Sequence, residues 1–165
     1  MPVDESKITT FITVLSILLR EVRQERGIHQ AQIADIAEKT PSAWTKVETG
    51  RSPLALDVFL RVCNALNVPY SSIMGTAERY AALLTQNEGW GVVTTPMEYK
   101  QDALMNLAQE YWGSPGFRHR QNPTWVFHSN SVLNGPIYNA DGTITIAPVF
   151  QFALDPEFRA QQLAG

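Results

Sequence analysis

A short polar segment near residue 45 carries the side chains of this chain that are best suited to chemistry. Thr40 is a residue typical of a helix N-cap, and Pro41 suits the first helical position. Ser42 can donate or accept a hydrogen bond, and Lys46, one helical turn further on, carries a positive charge. A glycine then predicts the helix end, and Arg51 follows it. A short helix that opens with small polar residues could present them to base edges in the DNA major groove.

The surrounding pattern predicts the helices that must position this segment. Apolar residues from Ile8 to Val22 recur at three- and four-residue steps, which indicates an amphipathic helix that starts after Asp4 or Ser6 and ends at Gly27. Its apolar face is wider than a small bundle needs, so we expect the surplus to pack on the second half of the chain or on another subunit. The other predicted helices are Gln30–Glu38, Thr40 to about Thr49, Leu56–Leu66, and one from about Ser71 through Leu84.

Residues 15–74 resemble the helix-turn-helix domain of the XRE/Cro family, which is found in phage repressors and many bacterial regulators. The resemblance needs no gap and covers a little over a third of the chain. It rests on residues that fall in register with the family pattern, namely Arg23, Gly27, Gln30, Ile33, Ala34, Thr40, Val47, Glu48, Gly50, Pro53 and Leu66. It implies a five-helix, lambda-repressor-like domain that binds duplex DNA.

The resemblance also implies which residues contact DNA. Pro41, Ser42, Thr45 and Lys46, together with the Thr40 cap, take the positions just inside the reading helix. Ser42 and Lys46 have hydrogen-bonding groups that can reach a base edge, and Lys46 can also reach a phosphate. The two phosphate contacts that we expect are Gln30, at the start of the second helix, and Arg51. His29 and Lys39 are lesser candidates for contacts with the DNA backbone.

Other positions of the pattern are structural. Arg23 and Glu48 occupy the places of an internal ion pair, which would tie the first helix to the end of the third. Trp44 stands where the family has an aliphatic residue, and we expect it in the core. Glu38 stands in the turn where the family usually has glycine, so that a left-handed backbone there would be strained.

Composition and charge limit the possible classes of protein. The formal net charge is −3, and residues 1–80 hold nine Lys and Arg against nine Asp and Glu. Any DNA-binding face must therefore be a local cluster of positive charge. Cys63 is the single cysteine, which excludes an intramolecular disulfide, and its apolar surroundings predict a buried thiol. The apolar run Phe11–Leu19 is too short to cross a bilayer, and the first residues do not form a secretory signal, so we expect a cytoplasmic protein.

The second half of the chain predicts a small α+β domain over residues 87–165, after a DNA-binding domain over residues 1–86. The patterns indicate a helix from Thr95 to about Trp112, strands at 125–129 and 137–152 with a turn at 139–142, and a short helix at 156–163. Its aromatic residues fit a packing or subunit interface. A ligand pocket is the alternative, and its lining would be Trp90, Trp112, Trp125 and Tyr138.

The residues give little support for an enzyme or a metal site. Lys100 is the sole lysine after residue 50, which disfavours the Ser–Lys pair of self-cleaving repressors. His119 and His128 lack zinc-ligand spacing and a nearby cysteine. The cluster Arg118–Arg120 is expected to be a solvated loop. We therefore predict a protein that is not an enzyme and has no cofactor or metal.

The sequence thus predicts a mainly α protein that binds double-stranded DNA through its third helix and regulates transcription. A homo-oligomer, either a dimer or a tetramer, is expected because two reading helices on a palindrome multiply the effective affinity. The sequence names no small-molecule effector. One alternative is an antitoxin that binds both operator DNA and a toxin. Another is a protein-interaction module that no longer binds DNA, which Glu38, Pro41 and the neutral first half would favour.

Overall fold

The structure is a computed structural model that describes residues 4–120 and 131–165. The predicted strand at 125–129, with Trp125 and His128, lies outside the described residues. Within them the chain is mainly helical, at 66% helix with nine α-helices, and it also contains two short two-stranded sheets. None of the described helices is long and apolar enough to cross a membrane.

The first half of the chain begins with a short strand and continues with helices. Asp4 caps a 3-10 turn rather than a long helix, and Ile8 lies in a strand. The prediction that the first helix starts after Asp4 or Ser6 is therefore wrong, because the β-branched residues before Phe11 extend and Thr10 forms the N-cap. The elements are β1 (Ile8–Thr10), α1 (Phe11–Glu25), α2 (Gln30–Ile36), α3 (Pro41–Glu48), α4 (Leu56–Leu66) and α5 (Tyr70–Ala82), which continues as a π-helical turn (Leu83–Asn87).

The second half contains more helix than the sequence predicted. Its elements are β2 (Gly91–Val93), α6 (Ala103–Trp112), α7 (Pro115–Arg120), β3 (Ile137–Tyr138), β4 (Ile144–Thr145), α8 (Pro148–Leu154) and α9 (Pro156–Ala164). Further 3-10 turns cover Tyr99–Gln101 and Val132–Asn134. The antiparallel pairing of β3 with β4 confirms the predicted turn at 139–142, and α9 confirms the final helix.

Three predictions for this half are wrong. The helix expected from Thr95 starts only at Ala103, because Asp102 provides the N-cap and accepts a hydrogen bond from the Met105 N–H at 3.1 Å. The strand expected to reach residue 152 ends at Thr145, since Pro148 opens α8. The backbone of the basic cluster at 118–120 belongs to α7 and is not a loop.

The helix α1 lies at the centre of the molecule. It packs against α3, α4 and α5 of the first half and against α6 and the turn at 132–134 of the second half. Val14, Ile17 and Leu18 have no exposed surface, so the wide apolar face of α1 is covered within the chain itself. One cluster of buried side chains extends from Val14 in α1 to Ala153 in α8. The two halves therefore share a hydrophobic core.

Polar contacts also join the two halves. β1 pairs with β2 in parallel, with Ile8 opposite Gly91. The buried Asp102 carboxylate accepts hydrogen bonds from the Thr9 hydroxyl, at 2.6 Å, and from the Thr13 hydroxyl. The start of α6 is thereby attached to the start of α1. The division of the chain near residue 86 into two domains remains a prediction.

Several predicted core residues are indeed buried. Trp44 is 2% exposed, and Cys63 is fully buried. Burial raises the pKa of the Cys63 thiol to about 11, so the reactive thiolate is scarce at neutral pH. Trp90 and Trp112 are also buried, whereas Tyr138 is exposed on β3. The burial of Trp90 and Trp112 fits the packing interpretation, and the ligand pocket stays the alternative prediction.

Candidate nucleic-acid interface

The helix α3 has one buried face and one exposed face. Trp44, Val47 and Glu48 point into the protein and are buried. The side chains expected to contact DNA lie on the other face and are exposed, and these are Pro41, Ser42, Thr45 and Lys46. Thr40 is also exposed, and its hydroxyl caps the helix by accepting a hydrogen bond from the Ala43 N–H at 3.1 Å. The outward face of α3 is therefore accessible to solvent.

The Glu48 carboxylate anchors the inner face of α3. Its Oε1 atom accepts hydrogen bonds from Arg23 Nε at 2.8 Å and from Trp44 Nε1 at 2.9 Å. Its Oε2 atom accepts one from Arg23 Nη2 at 3.3 Å. The implied ion pair between Arg23 and Glu48 is thus present, and both residues are buried. The indole contact was missed by sequence reasoning, although Trp44 precedes Glu48 by four residues and so lies one helical turn away.

Gln30 connects the start of α2 to the middle of α3. Its Nε2 atom donates a hydrogen bond to Thr45 Oγ1 at 2.7 Å and lies 3.4 Å from Glu48 Oε2. The Thr45 hydroxyl in turn donates to the Pro41 carbonyl at 2.9 Å. Gln30 and Thr45 therefore lie next to each other, as a shared surface for DNA would require, and their side chains hold each other in place.

The turn between α2 and α3 is left-handed at Glu38, where φ is +57°. A non-glycine residue with this φ is strained. The Glu38 carboxylate pairs with Arg61 at 3.3 Å, and Arg61 also pairs with Asp57 at 3.2 Å. The negative charge that Glu38 brings to this end of α3 is thus offset by an adjacent guanidinium.

Arg51 lies just beyond the end of α3. Its backbone N–H donates to the Lys46 carbonyl at 2.8 Å, which closes the final turn of the helix. The side chain is exposed, and its guanidinium carbon lies 5.2 Å from the centre of the Tyr99 ring. This contact with the second half was also missed, because nothing in the local sequence links positions 51 and 99.

Exposed or partly exposed basic side chains flank α3 despite the net charge of −3. Lys46 and Arg51 are exposed, and Lys39, in the turn before α3, is partly exposed. His29 is exposed at the N-cap of α2. Phosphate recognition needs such a local cluster and does not need a basic chain.

The comparison with known protein families agrees with this geometry. A family profile described as a helix-turn-helix domain matches residues 14–71. Residues 14–71 form a helix-turn-helix domain of the XRE/Cro type. The helix-turn-helix domain covers about a third of the chain, from within α1 to the first residues of α5, and α2 and α3 lie within it. No curated protein and no solved structure matches the chain significantly.

Domains of this family bind DNA and are typically not enzymes. Among the described residues, no group of histidine, cysteine and carboxylate side chains is arranged to hold a metal ion. His119 lies in α7, and His128 is not among the described residues.

Proposed function

We propose that this protein is a sequence-specific transcriptional regulator that inserts α3 into the major groove of duplex DNA. The observation that carries the proposal is the exposure of Pro41, Ser42, Thr45 and Lys46 along one face of a helix whose opposite face is locked into the core. A groove-binding helix needs both properties, since its exposed side chains must meet base edges while its axis stays fixed.

Each side chain has a separate task in this proposal. Ser42 and Lys46 contact base edges, and Pro41 and Thr45 fill the surface between them. Arg51 and Gln30 contact phosphates on either side of the groove and set the orientation of the helix, and Gln30 exchanges its 3.4 Å hydrogen bond to Glu48 for a phosphate oxygen. Thr40 caps the reading helix at the DNA end. Arg23 and Glu48 fix its angle from inside the protein and do not contact DNA.

A dimer or larger assembly follows from the small number of base contacts. Each good contact discriminates by about 1–3 kcal/mol, so one copy of α3 selects its site weakly. Two copies on a palindromic operator multiply the effective affinity. We propose that residues 87–165 supply the subunit contacts, because Tyr138 and Leu163 are exposed large apolar side chains in this half.

Selection of duplexes from a random pool tests the proposal and supplies the operator. We then expect Lys46→Ala and Arg51→Ala to weaken binding of the selected duplex in a gel-shift titration. Glu78→Ala, an exposed change on α5, is the matched control and should bind as the wild type does. Unchanged binding by both Lys46→Ala and Arg51→Ala would overturn the assignment of this face.

The rival interpretation, a protein-interaction module, makes a different prediction. A DNA-binding protein that neutralises several phosphates loses affinity steeply as the salt concentration rises. If the wild-type protein retains no duplex from the pool at 50 mM salt, the interaction module replaces the regulator.

A further inference from the structure

Three consecutive residues at the end of α3 contact the second half of the chain. The Thr49 carbonyl accepts a hydrogen bond from Gln109 Nε2 at 3.3 Å. A Cβ atom built on Gly50 would lie 3.5 Å from Met105 Cγ, which is van der Waals distance. The Arg51 guanidinium lies over the Tyr99 ring. Residues 49–51, which follow α3, therefore pack against α6 and the turn before it.

Contacts with α1 and β1 hold α6 and the turn before it in place. Met105 is fully buried, and Asp102 caps α6 while it binds the hydroxyls of Thr9 and Thr13. Tyr99 is partly buried in the 3-10 turn that leads into α6. A ring held in this way gives the Arg51 side chain a fixed neighbour, whereas a solvated arginine loses considerable rotamer freedom when it binds a ligand.

A guanidinium can stack and donate hydrogen bonds at the same time. Its N–H groups lie in the plane of the group, so a ring that covers one face leaves the donors free for phosphate oxygens. Because Arg51 is exposed, the contact with Tyr99 does not remove it from solvent. The ring therefore restricts the side chain without using its donors.

We propose that Tyr99 and Gln109 are positioning residues for DNA binding, through which the second half of the chain holds the end of α3 and orients Arg51 toward a phosphate. The proposal rests on the proposed function, because it assumes that Arg51 contacts DNA. It adds that residues outside the helix-turn-helix domain determine how well that domain binds.

The experiment measures binding of the selected duplex by the full-length protein over a series of salt concentrations. Tyr99→Leu removes the ring and should weaken binding by about threefold, whereas Tyr99→Phe keeps the ring and should stay within about twofold of the wild type. Gln109→Leu is the second variant and should also weaken binding. Gln101→Leu makes the same amide-to-leucine change at an exposed glutamine of the turn before α6 and is the matched control, with no expected effect.

A double-mutant cycle separates positioning from general destabilisation. In the Arg51→Ala background, Tyr99→Leu should cause no further loss, because the side chain that it positions is gone. Tyr99→Leu alone and Arg51→Ala alone should each also reduce the slope of log affinity against log salt concentration, by up to about 0.9 for one lost phosphate contact. Equal losses from Tyr99→Leu in both backgrounds would overturn the positioning role.

The outcomes distinguish this inference from the proposed function. Binding by the wild type together with unchanged binding by Tyr99→Leu and Gln109→Leu overturns the inference and leaves the regulator intact. Absence of wild-type binding to every duplex overturns the proposed function and the inference with it. Three results together support both the inference and the proposed function. Tyr99→Leu weakens DNA binding about threefold, Tyr99→Phe binds as the wild type does, and Tyr99→Leu causes no further loss in the Arg51→Ala background.

Discussion

Glu48 shows how one buried carboxylate can fix the angle of a helix. It accepts hydrogen bonds from Arg23 in α1 and Trp44 in α3, and Gln30 in α2 lies within 3.4 Å of it. Three helices therefore meet at a single side chain. The residue pair could be predicted from its positions in the pattern, but the participation of the indole depends on the packing of Trp44, which spacing alone does not determine.

Glu48→Gln should lower the free energy of unfolding by about 3 kcal/mol, because the buried Arg23 charge loses its counter-ion. Gln keeps the size of the side chain, so that the change tests charge and not volume. Urea denaturation followed by tryptophan fluorescence measures the effect. Asp57→Asn is the control, since that carboxylate is 74% exposed and its pair with Arg61 should contribute less than about 1 kcal/mol. Equal effects of the two substitutions would contradict this account.

Glu21 predicts a pH-dependent stability. Burial raises the pKa of this carboxyl from 4.5 to about 7, with a smaller contribution from Glu25, while the hydrogen bond from Trp112 and the charges of Arg20 and Arg23 lower it. The folded state thus retains a proton that the unfolded state releases at lower pH. Stability should therefore fall as the pH rises from about 4.5 to about 7 and then level off.

Glu21→Gln should remove this part of the pH dependence. Gln keeps an acceptor for Trp112 Nε1, which donates to Glu21 at 2.7 Å, but it cannot ionise. We expect the wild type to lose about 3 kcal/mol more than the variant between pH 4.5 and 8 in urea titrations. If wild type and variant show the same pH profile, the carboxyl ionises in the folded protein near its ordinary pKa.

Among the elements, helices with clear termini could be predicted from the sequence. α3 begins and ends near the predicted residues because Thr40 and Pro41 define its start and Gly50 its end. α8 could not be predicted, because its apolar residues form a short continuous run, and such a run fits a buried strand as well as a buried helix. The parallel pairing of β1 with β2 joins positions 83 residues apart, and local pattern carries no information about such a contact.

For the candidate site, too, the local sequence pattern predicts some features and not others. The residues of α3 that are exposed could be listed from the helical period, and Gln30 could be placed beside them by the family pattern. The contacts of Thr49 and Gly50 with α6, and of Arg51 with the turn before α6, could not be predicted, since they depend on how the second half folds back across the first. The sequence thus predicted α3 itself but not the contacts that the residues after α3 make with the second half.

The turn between α2 and α3 allows a test at the scale of elements. Glu38→Gly should raise the free energy of unfolding by about 0.5–1 kcal/mol relative to Glu38→Ala, because only glycine adopts φ near +57° without strain. Both variants remove the pair with Arg61, so their difference isolates the backbone. Chemical denaturation of the two variants side by side provides the measurement. A Glu38→Ala protein as stable as Glu38→Gly would show that this turn carries no strain.

For the whole molecule, the shared core bears on whether the helix-turn-helix domain can act alone. In the intact chain α1 contacts helices of both halves. Within the described residues, β1 pairs only with β2. The second half therefore buries apolar surface of the first half as well as its own. This arrangement differs from a DNA-binding domain tethered by a linker, in which each part would have its own core.

Truncation after residue 86 tests this view. The shortened chain would lose the contacts that α6 and the turn at 132–134 make with α1, and the Asp102 acceptor for Thr9. Exposed apolar surface costs about 25 cal/mol per Å², and the loss of a few hundred Å² of contact exceeds what a small helical domain can spare. We expect circular dichroism to show a broad, low-temperature unfolding transition, and analytical centrifugation to show aggregation. A sharp transition at the temperature of the full chain would instead establish residues 1–86 as an independent domain, in agreement with the division that the sequence predicted.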